Sequence, residues 1–258
     1  MDALQLKGKT ALVVGIANRW SIAYAIAQQL QAHGVRLAVT YQNERVAAEV
    51  HKLTAAWPNT LLLPCELTDE AQIDAVFARL RDEFGQLNHL IHCVAFAERA
   101  DLQGAFRAIS RQGFRTALDI SVYSLLALAQ RAVSLMPPQQ SSILTLTYMA
   151  SERVVPNYNV MALAKAALEN AVRYLANDLG PLGIRVNAIS AGPVRTASAR
   201  AIAGFTEMLK QHAEKAPLRR NITAEEVGKA ALYLCSDLAS GVTGTVHFVD
   251  AGYHILGV

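Results

Sequence analysis

The chain has 258 residues, 52% of them apolar and 17% charged, with a formal net charge of +3. That size and apolar content suit one well-buried domain, and the mild charge without a basic run argues against a nucleic-acid surface. The longest uncharged apolar stretch, Ile120 to Gln130, is too short for a bilayer span and is interrupted by serines, so no membrane association is expected.

The opening MDALQLKGKT lacks the apolar core of a signal peptide, so a cytoplasmic protein is expected. Ala11–Val14 is a short apolar run, and the amphipathic stretch from Ser21 to about Ala32 is stopped by Gly34. Val35–Thr40 and Thr60–Cys65 are again strand-like. Asp69–Phe84 reads as a helix capped by Asp69, with Ile73, Val76, Phe77 and Leu80 on one side. Leu87–Val94 is a strand candidate in which His89 and His92 face opposite sides, which argues against a shared metal. A long helix from Arg111 to Met136 ends at Pro137-Pro138. Ser142–Thr147 is a strand, Asn157–Leu179 a helix stopped by Gly180 and Pro181, and Ile184–Ile189 another strand. A helix near Glu225–Leu234 precedes the last strand, Thr245–Val249. Cys65, Cys93 and Cys235 lie far apart in apolar contexts, so buried free thiols in a reducing compartment, and no metal site, are expected.

Strands that are apolar throughout belong to a parallel sheet covered on both faces. About seven of them, alternating with helices, predict an α/β fold: a single domain over residues 1–258, built as a Rossmann-type doubly wound parallel sheet. Such sheets take ligands outside the carboxyl ends of their strands.

The first strand runs into Gly15-Ile-Ala-Asn-Arg-Trp-Ser21-Ile22-Ala23 and then a helix. Gly15 permits a tight turn, and Ser21 can cap the helix and offer hydroxyl and amide to a pyrophosphate. The segment departs from G-x-G-x-x-G and is equally that of a strand–turn–helix without ligand. After the second strand, Gln42 stands where an acid usually binds an adenosine ribose. Its amide cannot neutralise a 2′-phosphate, which favours NADH over NADPH, although Arg45 lies a helical step further on. Glu66 and Leu67 are placed to flank an adenine; a solvated loop carboxylate is an equal reading of Glu66.

Tyr158 and Lys165 are seven residues apart, two helical turns, and so share a face. A phenol can donate to an oxygen that gains negative charge, and a nearby ammonium favours that role and can bind ribose hydroxyls. Such a pair is commonplace by itself; its position after the fifth strand gives it weight.

These segments carry a resemblance. Gly15 with Ser21-Ile22-Ala23, Tyr41-Gln42, Pro156-Asn-Tyr-Asn-Val-Met-Ala-Leu-Ala-Lys165 and Val186-Asn-Ala-Ile-Ser-Ala-Gly-Pro193 resemble the short-chain dehydrogenase/reductase superfamily, and within it the bacterial enoyl-acyl carrier protein reductases. The likeness runs from Leu6-Lys7-Gly8-Lys9 to Val249-Asp250-Ala251-Gly252. Ordinary members of the superfamily place their tyrosine four residues before the lysine and a serine thirteen before that tyrosine. Here those places hold Met161 and Tyr148, so the alternative, a 3-ketoacyl or other carbonyl reductase, lacks its usual groups. The enoyl reductases carry tyrosines seven before the lysine and ten before that, which are Tyr158 and Tyr148.

The resemblance implies NADH-dependent reduction of a trans-2-enoyl thioester in type II fatty-acid synthesis, with charge building on the thioester oxygen. Tyr158 would donate to that oxygen, Lys165 would hold the nicotinamide ribose, and Tyr148 would line the acyl pocket or pack beside the cofactor. It further implies cofactor contacts from Val94, Val194, Arg195 and Thr196, and substrate contacts from Ala97, Met161, Ile202 and Phe205. The family's mobile substrate lid corresponds to residues 195–212, where Ala197–His212 reads as an amphipathic helix with Ile202, Phe205, Met208 and Leu209 apolar. From pattern alone an ordinary surface helix fits better. Arg195, Arg200, Lys210, Arg219 and Arg220 would suit an acidic acyl carrier protein, and the family is typically homotetrameric. Cys93 and Ala95 depart from the serine and glycine common beside the cofactor, and Glu66 from a common aspartate.

Overall fold

The apolar runs become seven strands in a computed structural model of the chain, which describes residues 3–196, 199 and 202–257. They are β1 (Thr10–Val14), β2 (Arg36–Tyr41), β3 (Leu61–Pro64), β4 (His89–His92), β5 (Ser141–Thr147), β6 (Ile184–Ala191) and β7 (Val246–Val249). All pair in parallel, in the order β3-β2-β1-β4-β5-β6-β7. Every residue of β1 and β4 is buried, as expected of central strands covered on both faces. From β1 the chain moves outward to β2, whereas β4 lies on the other side of β1, with Val14 level with His92. The strand order therefore reverses between β1 and β4, and the crevice beyond their carboxyl ends is where such a sheet receives a ligand.

Eight helices flank the sheet among the described residues: α1 (Ile22–Ala32), α2 (Glu44–Thr54), α3 (Glu70–Phe84), α4 (Arg111–Leu118), α5 (Ser124–Ala132), α6 (Asn159–Leu179), α7 (Phe205–Lys215) and α8 (Ala224–Cys235). One core packs Ile73, Leu80, Leu125, Leu128, Leu168 and Val172 of α3, α5 and α6 on one face. The other packs Ile26 and Leu30 of α1 against Val227, Ala231 and Leu234 of α8. Burial of each such leucine or isoleucine is worth about 1.5–3 kcal/mol. Gly228 lets α8 approach α1 closely, since a Cβ there would lie 2.8 Å from the carbonyl oxygen of Ala25. Asp69 caps α3 by accepting from the amides of Ala71 and Gln72, as the sequence predicts.

Three expectations change. The helical region expected from Arg111 to Met136 forms over Arg111–Leu135, but it is not uniform: α4 widens into a π-turn at Asp119–Tyr123, continues as α5 and closes in a 3-10 turn at Val133–Leu135. The run Arg111–Leu135 is, by length and composition alone, apolar enough to cross a bilayer, yet Leu125, Leu128, Ala132 and Leu135 lie in the core. The chain also forms α2, which the apolar pattern does not announce, with Asn43 capping it through the amide of Val46. Third, α6 begins at Asn159 rather than Asn157, and α7 begins at Phe205 and runs to Lys215. Residues 197, 198, 200 and 201 of the expected lid helix lie outside the described residues. The three cysteines are free.

Candidate active site

Gly15 has φ +110°, and a Cβ there would stand 2.2 Å from the carbonyl oxygen of Cys93. Only glycine lets the end of β1 touch the end of β4 at the point where the strand order reverses. Ser21 acts differently from the expected helix cap: its hydroxyl turns back into the loop and accepts from the amides of Ala17 and Asn18, each at 3.1 Å. The loop is thereby shaped, and the amino-terminal end of α1 has no side-chain cap. Ile22 anchors that end on the core.

At the end of β2, the Gln42 side-chain amide donates to Glu66 Oε2 at 2.8 Å. Glu66 Oε1 accepts from the amide and hydroxyl of Thr68, both at 3.2 Å, and Leu67 packs on the core beside it. The two predicted adenosine-end residues are thus one unit, and it carries a carboxylate. Arg45 lies exposed in the first turn of α2. Val94 and Val194 are half-buried against opposite faces of the sheet. Arg195 is exposed, and the Thr196 hydroxyl accepts from the amide of Ala199 at 3.1 Å.

Lys165 is buried in α6, and its Nζ donates to the carbonyl of Leu146 at 2.7 Å. Desolvation pulls its pKa down to about 8, against the pull of Cys93 and Glu169. An ammonium has three donors, so two remain for a ligand once Leu146 is served. No hydrogen bond joins it to Tyr158 among the described residues; the ammonium is turned to the strand instead of the phenol.

Tyr158 stands just before α6, between two asparagines with left-handed backbones, Asn157 at φ +61° and Asn159 at φ +22°. Asparagine tolerates that region better than most residues, and such strain gathers at functional positions. The Asn157 side chain donates to the Ala203 carbonyl at 3.0 Å, and that of Asn159 to Gly104 at 3.2 Å. Burial first, and Tyr148 second, raise the Tyr158 pKa, so the phenol keeps its proton at neutral pH. The rings of Tyr148 and Tyr158 lie 5.1 Å apart, tilted by 57°. Burial, with Tyr253 and Asp250, pushes Tyr148 up to about 12, and its hydroxyl donates to the weak acceptor Met208 Sδ at 3.6 Å.

Tyr158 also packs on a small apolar cluster with Ala97, Leu102, Val160 and Met161. A cavity of about 580 Å³ lies on the other side of Tyr148, walled by Val155, Pro156, Ala203, Met208 and Tyr253 among others. Of the predicted lid contacts, Phe205 is buried at the start of α7 and Ile202 is half-buried. Ala203, Gly204, Glu207 and Met208 form that wall instead, because α7 begins only at Phe205. Arg219 donates to the carbonyl of Glu214, which leaves its charge available, whereas Arg220 is paired with Glu226 at 2.6 Å. Arg200 lies outside the described residues.

Ser121 is a site residue that the sequence reading misses. Buried in the π-turn, it accepts from the Phe96 amide at 3.1 Å and lies 3.9 Å from Met161 Sδ. Its one signal is a polar residue inside an apolar helical run.

A sequence model of the family described as "Enoyl-(Acyl carrier protein) reductase" matches residues 15–254, nearly the whole chain. The chain belongs to that family. Members similar to it include an NADH-dependent enoyl-acyl carrier protein reductase of Nostoc sp., 51% identical over 99% of this chain and 100% of its own. A solved Bacillus cereus enoyl-acyl carrier protein reductase, with NADP+ and an indole naphthyridinone, superposes with a TM-score of 0.95 at 49% identity, covering both chains in full. Another, from Anaplasma phagocytophilum with NAD, gives 0.93 at 42% identity over 99% of this chain and 95% of its own. The family likeness thus spans the β1–β4 crevice, both tyrosines and Lys165 alike.

Proposed function

We propose that this member of the family reduces the trans-2 double bond of enoyl thioesters carried by acyl carrier protein, with NADH as reductant. The observation that carries the reading is the pair of tilted phenols in ring contact, in which Tyr158 is kept protonated against an apolar cluster and Tyr148 lines a cavity of acyl size. The residues fit the cofactor: Gly15 brings backbone to the crevice, Gln42 presents a neutral amide at the ribose end, and Lys165 has unused donors. When bound, NADH supplies the reducing equivalents. Tyr158 holds a proton or hydrogen bond at the thioester oxygen, where negative charge develops; stabilising charge there is usually the largest catalytic term. Lys165 holds ribose hydroxyls and thereby orients the nicotinamide. Tyr148 forms the wall between the reacting carbons and the cavity, and Ala97 and Met161 exclude water beneath. Met161, a thioether inside that cluster, has no proton to give a carbonyl, which speaks against a ketoreductase.

Residues 195–212 serve as the substrate lid, with Met208 reaching Tyr148 and Ala203 tied to Asn157. A homotetramer is supported by exposed apolar side chains on the helical run after Arg111, Phe114, Tyr123 and Leu126, with Phe106 in the 3-10 turn before it. Light scattering on purified protein tests that assembly, and a monomer at micromolar concentration contradicts it.

The decisive assay mixes the protein with NADH and a short enoyl thioester and follows nicotinamide absorbance. A saturated thioester is the expected product; NADH binding without turnover overturns the reading. Tyr158→Phe is expected to lower kcat by roughly 10²–10³ and to leave the NADH dissociation constant unchanged. Equal loss of both means that Tyr158 acts through the cofactor.

A further inference from the structure

Lys165 is a fully buried ammonium, and an unpaired charge in such a place is costly. The ionisable groups around it are nearly all neutral. His92, on β4, is held between Thr145 and Ser124 and is kept uncharged by burial. The Cys93 thiol just beyond β4 is pushed by burial up to about 12, so it carries no charge where lysine chemistry operates. The phenol of Tyr158 is likewise protonated.

That leaves Glu169. It lies four residues beyond Lys165, one turn along α6 on the same face, and is only 3% exposed. Its Oε1 accepts from the Thr147 hydroxyl at 2.6 Å, and its Oε2 lies 4.0 Å from Arg173, whose side chain is half exposed. Lys165 and Glu169 therefore grip consecutive residues of β5: the ammonium takes the carbonyl of Leu146, and the carboxylate takes the hydroxyl of Thr147. The next residue is Tyr148.

We propose that Glu169 is a positioning residue for the reductase, the buried counter-charge that keeps Lys165 an ammonium able to hold the cofactor. This rests on the reading of Lys165 as the cofactor-holding cation. Glu169→Gln removes the charge but keeps an oxygen for Thr147 to donate to.

The test is NADH affinity as a function of pH, by fluorescence titration, alongside thermal unfolding and kcat/KM. In the wild type, affinity falls as pH rises and the ammonium is lost. In Glu169→Gln that alkaline limb is expected to move about one pH unit lower, as loss of an opposite charge one helical turn away dictates, while affinity at acidic pH and the Tm stay near wild type. Glu169→Met, of similar size and without charge, gives the same measurement if the amide variant does not fold. A limb that coincides with the wild type in a folded variant overturns the role of Glu169 alone. A wild type that turns over enoyl thioester yet shows no alkaline limb overturns the reading of Lys165, and this proposal with it.

Discussion

Glu66 accepts from Gln42 and places a negative charge at the end of β2, where the proposed function puts the adenosine ribose. Glu66→Gln is expected to raise kcat/KM with NADPH relative to NADH by roughly five-fold, the size of one exposed charge interaction. Steady-state rates with the two nicotinamides check it, and an unchanged ratio removes Glu66 from cofactor choice. Asn157 offers a second test at this scale. Its left-handed φ of +61° strains alanine but not glycine. Asn157→Ala is expected to lower stability by about 1–2 kcal/mol, whereas Asn157→Gly, which equally lacks the bond to Ala203, should lose less. Urea unfolding of both variants separates backbone strain from the lost hydrogen bond. The tyrosines and Lys165 drew attention through the family resemblance and their place after the fifth strand, since their spacing alone is commonplace; the strain at Asn157 did not, because a left-handed backbone leaves no mark in the letters beyond an asparagine.

The π-turn at Asp119–Tyr123 is the element that the sequence hid. Its residues, Asp119-Ile-Ser-Val-Tyr123, continue the helical pattern on either side, so nothing in the stripe announces the wider turn. Such turns recur at functional sites, and this one delivers Ser121 to the backbone of Phe96. Ser121→Ala leaves the Phe96 amide without its partner, a loss of about 1–3 kcal/mol. The expected outcome is a higher KM for the enoyl thioester with an unchanged NADH dissociation constant; weaker NADH binding instead would place the effect at the cofactor. The helix α2 escaped for another reason. It buries only Ala47, Val50 and Thr54, so its apolar stripe is narrow and partly polar, and tertiary contact rather than pattern fixes it. By contrast α3 carries four large buried residues and a capping aspartate, and its bounds followed directly.

For the whole molecule, the parallel sheet was readable because its central strands are apolar on both faces, whereas the neighbour of each strand was not. Strands this uniform carry no pairing code; right-handed crossovers set the order. Two histidines in the central strand β4 make stability depend on pH. Burial holds both His89 and His92 down to about 3, from an ordinary value of 6.5. Below pH 6.5 the unfolded chain binds protons that the folded chain refuses, so stability is complete above that pH and declines as pH falls toward 3. Each histidine costs about 1.4 kcal/mol per pH unit in that window, or about 4 kcal/mol for the pair at pH 5. Urea unfolding at pH 7 and pH 5 measures this; equal stability at both contradicts the burial of uncharged imidazoles.

The widened helix between β4 and β5 also governs which changes in length the gene can accept. A regular helix advances about 100° per residue, and the wide turn absorbs one residue more than a regular one. Deleting one residue from Asp119 to Tyr123 would therefore close the wide turn into a regular one and keep Leu125, Leu128, Ala129 and Ala132 facing the core, whereas a deletion inside α5 would swing the residues beyond it away from the sheet. A one-codon deletion is thus accommodated in the wide turn and costly in the regular helix that follows it.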